Sequence, residues 1–166
     1  MKKGLFITIL MIILSLPLIS QEYDRAIGIR GGVTSGFTYR QFLDEEVAME
    51  GLLSFKRGGI QITLLREIHQ PGLIEFSDNF LFSYGFGGHV GYIYSDYHYF
   101  LTKRYFYPQK RFVPVIGMDA FVGLEYVLRE FPLCFSVDFK PFFELFIPGF
   151  FQLNPGDFAF SIRYRF

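Results

Sequence analysis

Glu67, His69 and His89 are the nearest this chain comes to a catalytic or metal-binding set. Glu67 and His69 stand two apart, a spacing that on a strand puts both side chains on one face. A histidine acts as a general base only within hydrogen-bond reach of the proton it removes. A metal centre generally draws three or four converging ligands. Spacing supplies neither here, so the plainer reading is a set of interior polar groups. No Gly-rich phosphate loop, paired-Cys site or nucleophile motif occurs, and Gly85-Phe-Gly-Gly88 lacks the helix pattern a dinucleotide fingerprint requires. Cys134 is the only cysteine, which excludes an intramolecular disulfide and reads as an inert small side chain. No cofactor or metal is expected.

The larger chemical set is ionic. Arg30, Arg40, Lys56, Lys140, Arg163 and Arg165 occupy the polar face of alternating segments, together with Glu50, Glu67, Asp119, Glu125, Asp138 and Glu144. At the C-terminal end Phe158, Phe160, Ile162, Tyr164 and Phe166 alternate with Ala159, Ser161, Arg163 and Arg165. Period-two alternation of this kind is a strand with one apolar and one polar face. Residues 133–145, 114–128 and 80–94 repeat the scheme, with Phe121 breaking it and a Gly-rich polar face over 83–91. That face suggests close approach of bulky neighbours across a narrow interior. Four weaker segments precede them: 25–32, 37–43, 47–56 and 60–68, where Phe42, Leu52 and Leu65 interrupt the pattern. Eight strands of about ten residues match the ~9–11 that cross a bilayer on a tilt. The connections 33–36, 57–59, 95–112 and 146–156 would lie at one end, and 44–46, 69–79 and 129–132 at the other. The span 69–79 is long for a periplasmic turn. Pro114, Pro132, Pro141 and Pro148 would sit near strand ends, where a missing N–H is tolerated.

Residues 1–20 have a separate character. Lys2 and Lys3 precede an apolar run from Leu5 to Leu14, and Ser20 is a candidate cleavage residue. This is the layout of a secretory signal peptide, leaving 21–166 as one barrel domain. Removing Lys2 and Lys3 from 16 basic residues leaves 14 against 16 acidic ones, a net charge of −2. Such a balance offers no bulk attraction to nucleic acid. The chain is 20% aromatic and 51% hydrophobic, more than a soluble core of this size would hold, while no later stretch could form a spanning helix.

The expected fold is therefore all-β: a closed antiparallel up-and-down transmembrane β-barrel of about eight strands, located in the cell outer membrane. Arg or Lys facing lipid costs ~2–4 kcal/mol near the midplane, so the charged face is expected inside. Six bases and six acids in a narrow lumen favour a packed network of ion pairs over an open pore. The alternative is a soluble periplasmic sandwich or ligand-binding barrel with the apolar face inside.

The terminal segment Phe158-Ala-Phe-Ser-Ile-Arg-Tyr-Arg-Phe166 resembles the end of Gram-negative outer-membrane β-barrel proteins. Residues 117–126 and 131–141 are similar to the last strands of small members of that family. The resemblance implies that Ile162, Tyr164 and Phe166 act as the signal read by the barrel-assembly machinery. It also implies outer-membrane lipids and lipopolysaccharide as surroundings. The chain lacks the Trp such barrels carry at their interfaces. Tyr92, Tyr94, Tyr97, Tyr99, Tyr105 and Tyr107 can fill one belt.

Lys103, Arg104, Lys110 and Arg111 stand among aromatics in 95–112 and could contact lipopolysaccharide phosphates. The plainer reading is that this segment extends the hairpin and forms an interfacial girdle. Function is expected to be structural or surface-interacting in a monomer, without catalysis. A narrow transport barrel and a lipid-modifying enzyme are the alternatives.

Overall fold

The computed structural model describes residues 24–56, 58–71, 79–100, 103–146 and 150–166. The proposed signal peptide lies outside them. The described residues form ten strand segments: β1 (Arg25–Gly32), β2 (Ser35–Phe42), β3 (Val47–Lys56), β4 (Gly59–Pro71), β5 (Phe80–Phe100), β6 (Lys103–Val127), β7 (Leu133–Phe139), β8 (Phe142–Phe146), β9 (Phe150–Asn154) and β10 (Phe158–Arg165). All pairings are antiparallel, and β1 pairs with β10 to close the ring.

Ten segments form eight staves. β7 and β8 both pair with β6, at Val122–Val127 and Val115–Asp119, and are halves of one stave broken at Lys140-Pro141. β9 and β10 are likewise halves of the last stave, broken at 155–157. The two breaks lie side by side, since the Lys140 N–H donates to the Asp157 carbonyl at 2.8 Å. Pro141 cannot donate, which makes it a natural interruption, yet its carbonyl still accepts from the Ala120 N–H.

Several boundaries differ from the sequence reading. Residues 150–154, expected in a loop, form β9, because the final stave must keep pairing with β8 beyond its break. His69, Gln70 and Pro71 belong to β4 rather than to a turn, paired with Ser83, Phe82 and Leu81. The segment 95–112 is a hairpin extension of β5 and β6 with a bulge between Ser95 and Tyr97. β4 stops at the Gly59↔Ile93 pair, so β5 runs on for seven residues, about 23 Å along the strand. Pro114 is inside β6, one residue beyond the Val115↔Phe146 pair where β8 ends. Pro148 lies outside the described residues.

Alternation sorts the side chains in reverse of a soluble core. Arg40, Arg163 and Lys140 are at most 1% exposed, while Phe86, Phe158 and Ile29 are 57–61% exposed. The Gly-rich face of β5 has a cause partly different from the expected crowding across the lumen. A Cβ at Gly85 or Gly91 would collide with the backbone of adjacent β4, within 2.1–2.4 Å of a carbonyl oxygen. At Gly87 it would also strike the Leu65 side chain, and at Gly123 the Phe121 ring. Besides Phe42 at the lower end, Leu65, Phe121 and Leu52 are the residues that broke the sequence pattern. These three form one buried apolar cluster in the lumen, with Leu65 beside Gly87 and Phe121 beside Gly123.

Candidate functional site

The lumen holds two polar clusters, above and below the Leu52–Leu65–Phe121 layer on the β3–β6 side. "Lower" denotes the end carrying residues 43–46 and 128–132.

The lower cluster is organised by two guanidinium groups. Arg40 on β2 reaches Glu50 on β3 at 2.6 Å, Glu67 on β4 at 3.0 Å and Glu125 on β6 at 2.7 Å. Arg163 on β10 reaches Glu50 at 2.8 Å and Glu125 at 3.5 Å, and donates to Ser136 on β7 and Thr38 on β2. Thr38 donates in turn to Glu50 at 2.6 Å. Arginine suits this position because its planar fork can serve several carboxylates from one fixed plane. Two side chains thus tie six staves across the barrel.

The upper cluster is built from shorter and softer groups. Arg30 on β1 pairs with Asp138 at 2.5 Å and with Asp157 at 3.5 Å, and donates to the Thr34 carbonyl and hydroxyl. Lys140 bridges Asp119 at 2.7 Å and Asp157 at 3.3 Å, with its ammonium 4.5 Å from the Phe142 ring centre. His89 Nδ1 is 2.7 Å from Asp119, and its Nε2 is 3.6 Å from Glu144. The ring lies against Gly117, where a Cβ would come within 2.4 Å of it. Ser161, 3.5 Å from Asp138, and Ser136 link the two clusters along the β7–β10 wall.

Glu67 and His69 are neighbours, 3.6 Å apart, but His89 is elsewhere. Pairing of His69 with Ser83 leaves six residues of β5 between the two histidines, about 20 Å along the strand. Neither ring nitrogen of His69 has a hydrogen-bond partner among the described residues, and its ring packs on Phe42. No group of three or more His, Cys, Asp or Glu is placed to hold a metal among the described residues.

Arg30, Arg40, Glu50, Glu67, Asp119, Glu125, Asp138, Lys140, Glu144 and Arg163 are buried in the lumen. Arg165 is only half-buried, and its guanidinium donates to the Leu128 and Phe131 carbonyls at the lower turn. The side chain of Lys56 lies outside the described residues, as do those of Lys103, Arg104, Lys110 and Arg111, whose backbones belong to the projecting hairpin. Sequence reasoning missed Asp157, which enters the lumen through the break before β10 and joins Arg30, Lys140 and Thr34.

That addition tips the balance of charge toward acid among the described residues. Among the described residues the buried bases are Arg30, Arg40, Lys140 and Arg163. They face seven buried acids: Glu50, Glu67, Asp119, Glu125, Asp138, Glu144 and Asp157. Among the described residues the lumen carries a surplus of acids.

Cys134 is buried on β7. On the outer wall Ile162 and Tyr164 are half-buried, and Phe166 is exposed. No family model, curated protein or solved structure matches this chain.

Proposed function

We propose that the chain is an integral outer-membrane β-barrel whose packed ionic lumen serves a structural or surface-interaction role. The carrying observation is the inverted distribution of side chains, with charges enclosed and large apolar groups outside. On β5, Tyr84 and Tyr94 are exposed ten residues apart with Phe86 and Val90 between them. Ten residues span about 33 Å along a strand, or about 25 Å of height at the usual barrel tilt, the thickness of an outer-membrane apolar band. Tyr84, Tyr126 and Tyr164 supply rings toward the lower end, and Tyr92 stacks on Phe112 at the upper.

The longest projection, the β5–β6 hairpin, argues for the upper end as the outer surface, since long extensions in such barrels are extracellular. Lys103, Arg104, Lys110 and Arg111 would then stand where lipopolysaccharide phosphates lie. Ile162, Tyr164 and Phe166 remain this reading's assembly signal. The reading assigns a monomer and no catalysis.

The test is fractionation with gel mobility. The mature protein is expected in purified outer membrane, migrating differently before and after boiling in SDS. A heat-insensitive protein in the soluble periplasmic fraction would retire the reading.

The acidic surplus favours one second reading, a narrow cation path. The Leu52–Leu65–Phe121 layer and the cross-barrel guanidinium ties oppose it. Stepwise conductance with cation preference in planar bilayers would promote it, and a silent bilayer supports the packed lumen.

A further inference from the structure

Among the residues whose side chains are described, the outer wall carries one charge within its apolar field. Arg66 on β4 is exposed, because Leu65 takes the lumen side and shifts nothing in the register: residues 62, 64 and 66 all face out. Among strand residues whose side chains are described, Arg25 is the other charged outward residue, and it opens β1 at the lower rim. Arg66 is paired with Met49 on one side and Phe86 on the other. The described residues give it no acidic partner.

Directly above Arg66 the wall is recessed. Leu64 is flanked by Gly51 on β3 and Gly88 on β5. A Cβ at Gly51 would meet nothing closer than 3.9 Å, so the surface there is open. Phe86 and Met118, 61% and 56% exposed, form the far bank. With no side chain on either side of Leu64, which itself projects at 55% exposure, the result is a shallow apolar trough running beside Leu64 with a guanidinium at its lower end. Tyr84, paired with Ile68, lies two residues below Phe86, about 7 Å along the strand. An arginine side chain can reach that interface by extending downward.

An unpaired guanidinium facing hydrocarbon is costly unless an anion meets it at the interface. A phosphate diester is the matching anion, because the planar fork can bind two of its oxygens. We propose that Arg66 and the Gly51–Leu64–Gly88 trough seat one anionic phospholipid of the lower leaflet, phosphate on the guanidinium and an acyl chain in the trough. This rests on the membrane reading above. A lipid fits better than a protein segment because the recess is shallow and apolar and carries a single charge. The site is also independent of the luminal network.

The experiment is native mass spectrometry of the barrel released from nanodiscs of mixed phosphatidylglycerol and phosphatidylcholine. Wild type is expected to retain one phosphatidylglycerol in preference to phosphatidylcholine by about tenfold, the scale of one charge-assisted hydrogen-bonded contact. Arg66→Leu should abolish the preference, Arg66→Lys should keep part of it, and Arg25→Leu should leave it unchanged. Folding of each variant is checked by the heat-dependent gel shift, which an outward substitution should not alter. Undiminished preference in Arg66→Leu overturns the site. A wild-type dimer that Arg66→Leu dissolves also overturns it, since the occupant would be a second copy. A barrel that enters no bilayer defeats the membrane reading and this inference together, whereas insertion without lipid preference defeats this inference alone.

Discussion

The two luminal clusters solve the same problem with different parts. In the lower one, Arg40 and Arg163 share the same two acids, Glu50 and Glu125, so each acid depends on both guanidinium groups. In the upper one, partners are spread more widely: Asp119 has both Lys140 and His89, and Asp157 has Lys140, Arg30 and Thr34. The lower cluster also crosses the barrel, whereas Lys140 and Asp157 meet largely because their two staves break side by side. The lesson concerns redundancy. A network concentrated on two long cations ties more staves together but loses more when one is removed.

The largest effect should therefore come from Arg163→Leu or Arg40→Leu. Each would leave enclosed carboxylates short of a cation, a loss of about 3–5 kcal/mol. Urea unfolding of the reconstituted barrel should show it as a lowered midpoint. The double variant Arg163→Leu/Glu50→Leu should recover part of that loss, since removing both ions relieves the uncompensated charge.

Leu65→Ala should come next. It opens space beside Gly87 in the apolar layer and should cost about 2 kcal/mol, the low end for such truncations because a polar lumen can admit water. The same unfolding assay reads it, and a conductance trace tests whether the layer is also a barrier.

Lys140→Met should cost less than either arginine change, about 1–2 kcal/mol, because its ammonium holds two carboxylates, whereas Arg40 holds three and Arg163 holds two plus the Thr38 and Ser136 hydroxyls. A loss equal to that of Arg163→Leu would erase the proposed contrast between the clusters. Thr34→Val should be smallest, about 1 kcal/mol, removing the 2.7 Å hydroxyl bond to Asp157 while leaving the guanidinium of Arg30 in place.

Much of the architecture was legible because one constraint dominates it: with period two, a charge every second residue fixes which wall each neighbour lines. The β1 and β3 bounds and the start of β5 follow from that alone. The reading failed where a lumen residue is apolar or a wall residue polar. Leu52, Leu65 and Phe121 look like errors in the pattern, yet they form a layer in which Leu65 lies over Gly87 of the next stave and Phe121 over Gly123 of its own. Arg66 was hidden by Leu65 beside it, since the pair Leu64-Leu65 leaves the phase of β4 ambiguous.

Pairing information was the other gap. Phe150–Asn154 is too short to announce a strand, and only its ladder with β8 makes it one. Asp157 follows Pro155-Gly156, a turn signal that gives no hint of a break aimed inward. The sequence thus overcounted bases, through Arg165 at the lower turn, and undercounted acids.

The central claim is that the apolar wall faces lipid. Single nitroxide labels placed in a Cys134→Ser background at Ile29, Phe37 and Phe160, and at Thr38 and Ser161, test it most directly. In reconstituted bilayers, collision with dissolved oxygen should be high at the first three sites and low at Thr38 and Ser161. Shielded labels at Ile29, Phe37 and Phe160, with freely colliding ones at Thr38 and Ser161, would contradict the account.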